Sequence, residues 1–343
     1  LLALGLGIER PFAATSFFNR PLPRDISPLE LDPNSDAEIA QLSAFGGIAP
    51  LVIPAEPSAP DANVPVYDAA KGDPGYTIAC PAGCALAGAV VHVPNGALLP
   101  RPDSGGAGPR VMAVIDAAGG NEVDLELQKL DPAATPANGS APPLVIAAGG
   151  SGSLDGDGTA GFGVVHAGVA EALGLVRAGE LLSGEVPHAL RFSVACAGTQ
   201  SVRGGSYPFA KIVTDAPCAD SVAGAPFYGA RLWLDLSDTE IAALTVPAYL
   251  KTIYTALAHY GAFLTGTRGC ACATVFAAES PASATLLGRP NPWAALARAE
   301  GVPATGPPGR REYVFSLEPP SQSGLDLGAH LHVLAPCVTA QTC

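Results

Sequence analysis

Residues 111–127 read VMAVIDAAGGNEVDLEL, and this stretch decides the fold. Val111 to Ile115 is an apolar run of strand length, and Asp116 to Asn121 turns through Gly119-Gly120. Glu122 to Leu127 then alternates, with Val123, Leu125 and Leu127 on one face and Glu122, Asp124 and Glu126 on the other. A period of two marks a strand with two different faces, so the stretch predicts two strands joined by a turn. The same alternation returns at Leu190, Phe192 and Val194, at Leu232, Leu234 and Leu236, and at Tyr313, Phe315 and Leu317. Many short strands with Gly/Pro turns indicate a sandwich or barrel. The expected fold is mainly β, an antiparallel β-sandwich or jelly-roll with one or two helices.

The clearest helix runs from about Pro247 to Tyr260, where Leu250, Ile253, Tyr254 and Leu257 make one apolar stripe. Pro247 suits its first turn and Gly261 its end. Just before it, Ser237-Asp238-Thr239-Glu240 has capping-box spacing. A second helical stretch is expected over Ala167 to Leu175. Neither a recurring strand–helix–strand rhythm nor a repeat is visible, so the reading is one domain, 21–343, preceded by an N-terminal arm, 1–20.

Composition narrows the classes. The chain has 343 residues, with Gly 40 and Pro 34, only 14% charged and 48% hydrophobic residues. Disorder needs the opposite balance. Collagen is excluded because glycine has no period of three, and a coiled coil by the proline content. The net charge of −13 opposes a nucleic-acid partner or an anionic membrane. The charge-free stretch Pro132 to Leu154 is interrupted by Pro, Asn, Ser and Gly, so no membrane span is expected. Leu1 to Ile8 reads LLALGLGI, with the apolar character of a signal-peptide remnant. As part of a folded chain, such an arm is expected to be buried, docked on its own chain or inserted into a neighbouring subunit. Asn138-Gly139-Ser140 is the one N-glycosylation sequon.

The eight cysteines are Cys80, Cys84, Cys196, Cys218, Cys270, Cys272, Cys337 and Cys343. An even count in Pro/Gly-rich surroundings points to an oxidising compartment and up to four disulfides, hence to secretion or the cell surface. Local pairs 80–84, 196–218 and 337–343 suit the spacing. Cys270 and Cys272 are then left, and a bridge across one residue is unfavourable. Pairing of one or both with the C-terminal cysteines is therefore left open. The spacings do not match a zinc knuckle, so no metal is expected there.

Several strings carry chemistry. Three carboxylates at period two, Glu122, Asp124 and Glu126, would push one another's pKa values apart, which suits a nucleophile and an acid in retaining glycoside hydrolysis. The string resembles the E-x-D-x-E strand of laminarinase-type glycoside hydrolases, which are also β-sandwiches. The resemblance implies a polysaccharide substrate and catalytic roles for these three residues. Those enzymes line their cleft with Trp and Tyr, and neither Trp233 nor Trp293 lies near the string. A solvated outer strand face is therefore the favoured setting. Asp155 and Asp157 could open a calcium loop, but a third ligand and a distal Glu in register are missing, so no cofactor is expected. Gly156 to Gly161 fits G-x-G-x-x-G without the preceding strand that a dinucleotide site needs, and reads as a loop. His330 and His332 would share one strand face. His188 is expected to be a hydrogen-bonded structural residue. Tyr207, Phe209, Phe227 and Tyr228 are the one local aromatic cluster that could form a glycan platform.

Gly184-Glu185-Val186-Pro187-His188-Ala189-Leu190-Arg191-Phe192 resembles the G-E-I-x-H-A-L-R-F run of a widespread family of uncharacterised secreted bacterial proteins. The likeness includes Gly174 to Arg177, Pro226 to Leu232 and Ala256 to Gly261, and spans about residues 60–270. Relatives carry Asp-Arg-His where this chain has Pro109-Arg110-Val111, and an Asp where it has about Val165, while Asp116 and Asp124 stand at matching places. An acid, an imidazole and a second acid are thus replaced by groups that neither transfer protons nor bind metal. The sequence accordingly suggests a non-catalytic building block of an extracellular or cell-surface assembly, self-associating or contacting neighbouring subunits through residues 1–15. The alternative is a secreted carbohydrate-active enzyme using Glu122, Asp124 and Glu126.

Overall fold

The structure is a computed structural model that describes residues 11–23, 26, 30–94, 97, 111–117, 119–130, 143–159, 161–162, 164, 167–198, 208–209 and 224–341. In chain order its elements are α1 (Ser35–Ala44), β1 (Leu51–Pro54), β2 (Val66–Ala69), β3 (Gly75–Ala79), β4 (Val90–His92), β5 (Val111–Asp116), β6 (Asn121–Leu130), β7 (Leu144–Ser153), α2 (Ala178–Ser183) and β8 (Leu190–Val194). They continue with β9 (Arg231–Leu234), α3 (Asp238–Ala243), α4 (Ala248–His259), β10 (Ala262–Thr267), β11 (Val275–Phe276), α5 (Ala282–Thr285), α6 (Pro292–Glu300), β12 (Ala304–Thr305), β13 (Glu312–Phe315), α7 (Leu327–His330), β14 (Leu331–Leu334) and α8 (Pro336–Ala340). The fold is mainly β. Its strands form sheets of three (β1-β13-β12), five (β11-β8-β10-β9-β14) and six (β2-β5-β6-β7-β3-β4). Pairing is mostly antiparallel, and the described strands close no barrel, which is consistent with a sandwich.

The chain divides into two compact units, each assembled from three separate stretches. The first takes residues 1–13, 52–172 and 278–313, and the second takes 14–51, 173–277 and 314–343. Because the chain passes back and forth, neither unit has a linker or a shift in composition that would mark it in sequence.

The six-stranded sheet belongs to the first unit. β5 and β6 pair antiparallel from Val111↔Glu126 to Asp116↔Asn121, as their alternation predicts. The Asp116 carboxylate closes the turn by accepting the Gly119 N–H at 2.8 Å, and Gly120 supplies the left-handed residue, φ 70°. One face of this sheet carries Met112, Val114, Leu125, Leu144 and Ile146, packed with Tyr67, Ile78, Leu86 and Val91. Trp293 of α6 is buried elsewhere in this unit, its indole N–H donating to the Glu279 carbonyl at 2.9 Å.

The five-stranded sheet belongs to the second unit, with β8 and β10 parallel at its centre. α4 buries Leu250, Ile253, Tyr254 and Leu257, the stripe read from sequence, and Tyr249 as well. Ser237 and Glu240 form the predicted capping box at the start of α3. Gly261 ends α4 with φ 70°, and a β-carbon there would collide with the Leu232 carbonyl oxygen. Gly261→Ala should therefore cost about 3 kcal/mol through left-handed strain and overpacking. Urea unfolding should show a loss of stability of that size.

Two expectations need correction. More helices exist than the one or two predicted; α1 and α6 have 10 and 9 residues, and most of the others are short. Ala167 to Leu175 is not a helix but a buried irregular segment, with Gly168 and Gly174 at φ 74° and 66°. Residues 11–20 are built into the fold: Phe12 meets Phe162 edge-on at 5.9 Å, and Phe18 packs on Phe263 at 4.9 Å. Leu1 to Ile8 and Asn138 lie outside the described residues.

Cys80 bridges Cys84, as expected. Cys270 bridges Cys272, which corrects the expectation that these two would not pair with each other. Their Cα atoms stand 5.4 Å apart, inside the range a disulfide spans. Cys196 and Cys337 are also disulfide-bonded, and Cys218 and Cys343 lie outside the described residues. Closing so short a loop as 270–272 gains only about 1–2 kcal/mol in the chain-entropy account, against about 3 for a 15-residue loop.

Candidate functional site

The acid face of β6 is the most chemically distinctive place in the first unit. Glu122 and Asp124 are both 0% exposed, and Glu126 is half-buried. The solvated outer face favoured from sequence is therefore not what forms. The register supplies the reason. Glu122 stands between Ile115 and Gly152, and Asp124 between Ala113 and Gly150. Directly paired residues share a sheet face, so two glycines leave open room beside the two acids. Residues 167–172 fill it, every one of them buried.

That segment has no helical or ladder partners for its backbone, and a buried N–H must be satisfied. Three successive groups are. Ala170 N–H donates to the Gly158 carbonyl at 2.9 Å. Glu171 N–H donates to Asp124 Oδ2 at 2.8 Å and Ala172 N–H to Glu122 Oε1 at 2.9 Å. The carboxylates thus do the work that water or a neighbouring strand would do. Glu171 is itself buried, so three acids share one interior. Burial first, then the charges of Glu122 and Glu171, hold the Asp124 carboxyl well above the usual carboxylate range, while the Glu171 N–H acts the other way. A proton kept on Asp124 can be shared with Glu122, so the pair need not carry two charges. Glu171 was missed in sequence because it lies 47 residues from Asp124. The available signal was complementary smallness, Gly149-Gly150 and Gly152 against Ala167-Gly168 and Ala170.

A second polar cluster lies inside the second unit. Glu180 on α2, His188 and Arg177 are all buried. His188 Nδ1–H donates to the Ala189 carbonyl at 2.9 Å, and Nε2 lies 2.9 Å from Glu180 Oε1. Both ring nitrogens are thus held by hydrogen-bond partners inside the unit. Arg177 Nη1 donates to the same Glu180 oxygen at 3.4 Å. His188 is thus hydrogen-bonded and structural, the role expected for it. Arg231, also buried, donates from Nε and Nη2 to the Tyr260 carbonyl at the end of α4, at 2.9 and 2.5 Å. Its guanidinium lies over the Phe263 ring at 4.8 Å. Burial, then the charge of Arg20, lowers its pKa to about 9.

The remaining candidates do not converge. Phe209, Phe227 and Tyr228 are buried and present no open stacking face; Tyr207 lies outside the described residues. Tyr228 is tied to Thr267 by a 3.1 Å hydroxyl contact. The Asp157 carboxylate accepts from the Thr159 N–H and hydroxyl at 3.0 and 2.8 Å, a local turn, and Asp155 is exposed beside it. His330 ends α7 while His332 sits on β14 against Trp233 at 5.8 Å, so the two do not share a strand face. Among the described residues, no three His, Cys, Asp or Glu are grouped to hold a metal, and no helix is long and apolar enough to cross a membrane.

Comparison of the chain with protein-family models, with curated proteins and with solved structures finds no match.

Proposed function

We propose that this chain is a non-catalytic structural subunit of an extracellular or cell-surface assembly. The observation that carries the reading is the fate of Glu122 and Asp124. A catalytic carboxylate must meet its substrate. These two are wholly buried and engaged by the backbone of Glu171 and Ala172. Local disulfides and a chain only 14% charged suit an exported building block. The interacting segment proposed is the apolar leading peptide, received by a second copy or a neighbouring subunit.

The test compares the full chain with a variant lacking residues 1–10, which retains Phe12 and its contact with Phe162. Sedimentation over a range of concentrations should show association in the first and a smaller particle in the second. A monomer in both cases overturns the proposal. A polysaccharide panel assayed with wild type and Glu122→Gln should show no turnover by either. Turnover in wild type that is lost in the variant would instead support a carbohydrate-active enzyme, with polysaccharide as its substrate.

A further inference from the structure

We propose that Cys270 and Cys272 form an exchangeable surface disulfide, a redox site that reacts with small thiols while the fold stays intact. Three observations support this. The first is exposure. Cys270 and Ala271 are exposed, whereas Cys272, Cys80 and Cys84 are half-buried, the last two against the core of the six-stranded sheet. Thiol attack requires access to a sulfur, and exposed bridges are the labile ones. The second is loop size. A bridge across one residue constrains the unfolded chain very little, so opening it costs little fold stability. The third is anchoring. The loop between β10 and β11 is held at both ends by its backbone. Arg268 and Gly269 N–H donate to the Val194 and Ala195 carbonyls at 2.9 and 3.1 Å, and Thr274 N–H donates to the Gly47 carbonyl at 2.9 Å. None of these bonds requires the bridge. Arg268, exposed and two residues before Cys270, adds a cation of the kind that favours thiolate.

The chemistry balances with a monothiol such as glutathione as reductant. Its thiolate attacks Cys270 Sγ, and the S–S electron pair leaves with Cys272 Sγ, which takes up a proton. Cys272 Sγ already lies 3.4 Å from the Cys270 carbonyl oxygen, where the released thiol can donate. A second glutathione attacks the glutathione sulfur of the mixed disulfide and releases the Cys270 thiol. Two glutathiones become one disulfide, and the protein gains two electrons and two protons.

The folded, full-length protein is equilibrated in glutathione buffers of graded ratio, alkylated, and mapped by peptide mass. Cys270 and Cys272 should label together, at a reducing ratio roughly tenfold lower than that needed for Cys80 and Cys84. Labelling of all four together, of Cys80 and Cys84 first, or of Cys270 and Cys272 only as the fold is lost overturns the proposal. Cys272→Ser should form a mixed disulfide at Cys270 with oxidised glutathione, and its absence overturns the proposal as well. The double variant Cys270→Ser/Cys272→Ser should lower the urea midpoint only slightly, as the small loop-closure gain requires. A large fall would make the bridge a structural staple instead.

Discussion

Asp124→Ala should destabilise the first unit by about 3 kcal/mol, whereas Asp124→Asn should cost little at neutral pH and gain ground above it. The alanine variant leaves the buried Glu171 N–H without its 2.8 Å acceptor and opens a small void beneath residues 167–172. Asparagine fills the same volume. Its oxygen can accept from Glu171 and its NH₂ can donate to Glu122, reproducing the protonated acid. The pH dependence follows from the raised pKa of Asp124. Its unfolded value is about 3.9, so the folded protein holds this proton more tightly than the unfolded chain does. The stability contributed by that proton is complete below about pH 4 and is lost as pH rises through the folded value. The Asn variant lacks this slope, so its stability relative to wild type should increase steadily from pH 4 upward. Urea unfolding of both proteins between pH 4 and pH 9 measures it. Parallel profiles would show that Asp124 does not hold the proton.

Glu180→Ala should cost about 4 kcal/mol, because it removes a buried carboxylate that two buried groups share. His188 Nε2 loses its 2.9 Å partner and Arg177 its 3.4 Å one. Glu180→Gln should lose about half as much, since its oxygen still accepts from one of them. The pair Glu180→Ala and His188→Ala should be less damaging together than the sum of the single changes, because the second removes a group that the first leaves unpartnered. Chemical denaturation of the four proteins of that cycle gives the coupling. Additive losses would mean that the contact contributes nothing of its own.

What could be read along the chain was whatever neighbouring residues encode by themselves. The β5–β6 hairpin, the α4 stripe and the Ser237–Glu240 box each depend on a short period or a fixed local spacing. α6 was equally legible in retrospect. Asn291 caps it by accepting from Trp293 and Ala294, Pro292 opens it, and Gly301 ends it. The segment 167–175 misled because a mostly apolar run, broken only by Glu171, is buried in either a helix or a loop. The two positive-φ glycines, Gly168 and Gly174, are what exclude the helix. His330 and His332 were separated by an element boundary that periodicity cannot place.

The order of residues alone determined that this protein is mainly β, that β6 has an acidic and an apolar face, and that Cys80 pairs with Cys84. Only the tertiary structure decided that the acidic face points inward. Alternation separates two faces but does not say which one meets water. That choice was made by residues 167–172, which settle over Gly150 and Gly152 and need acceptors for their buried N–H groups. Glu122 and Asp124, polar by composition, became part of the interior because the backbone above them would otherwise have gone unsatisfied.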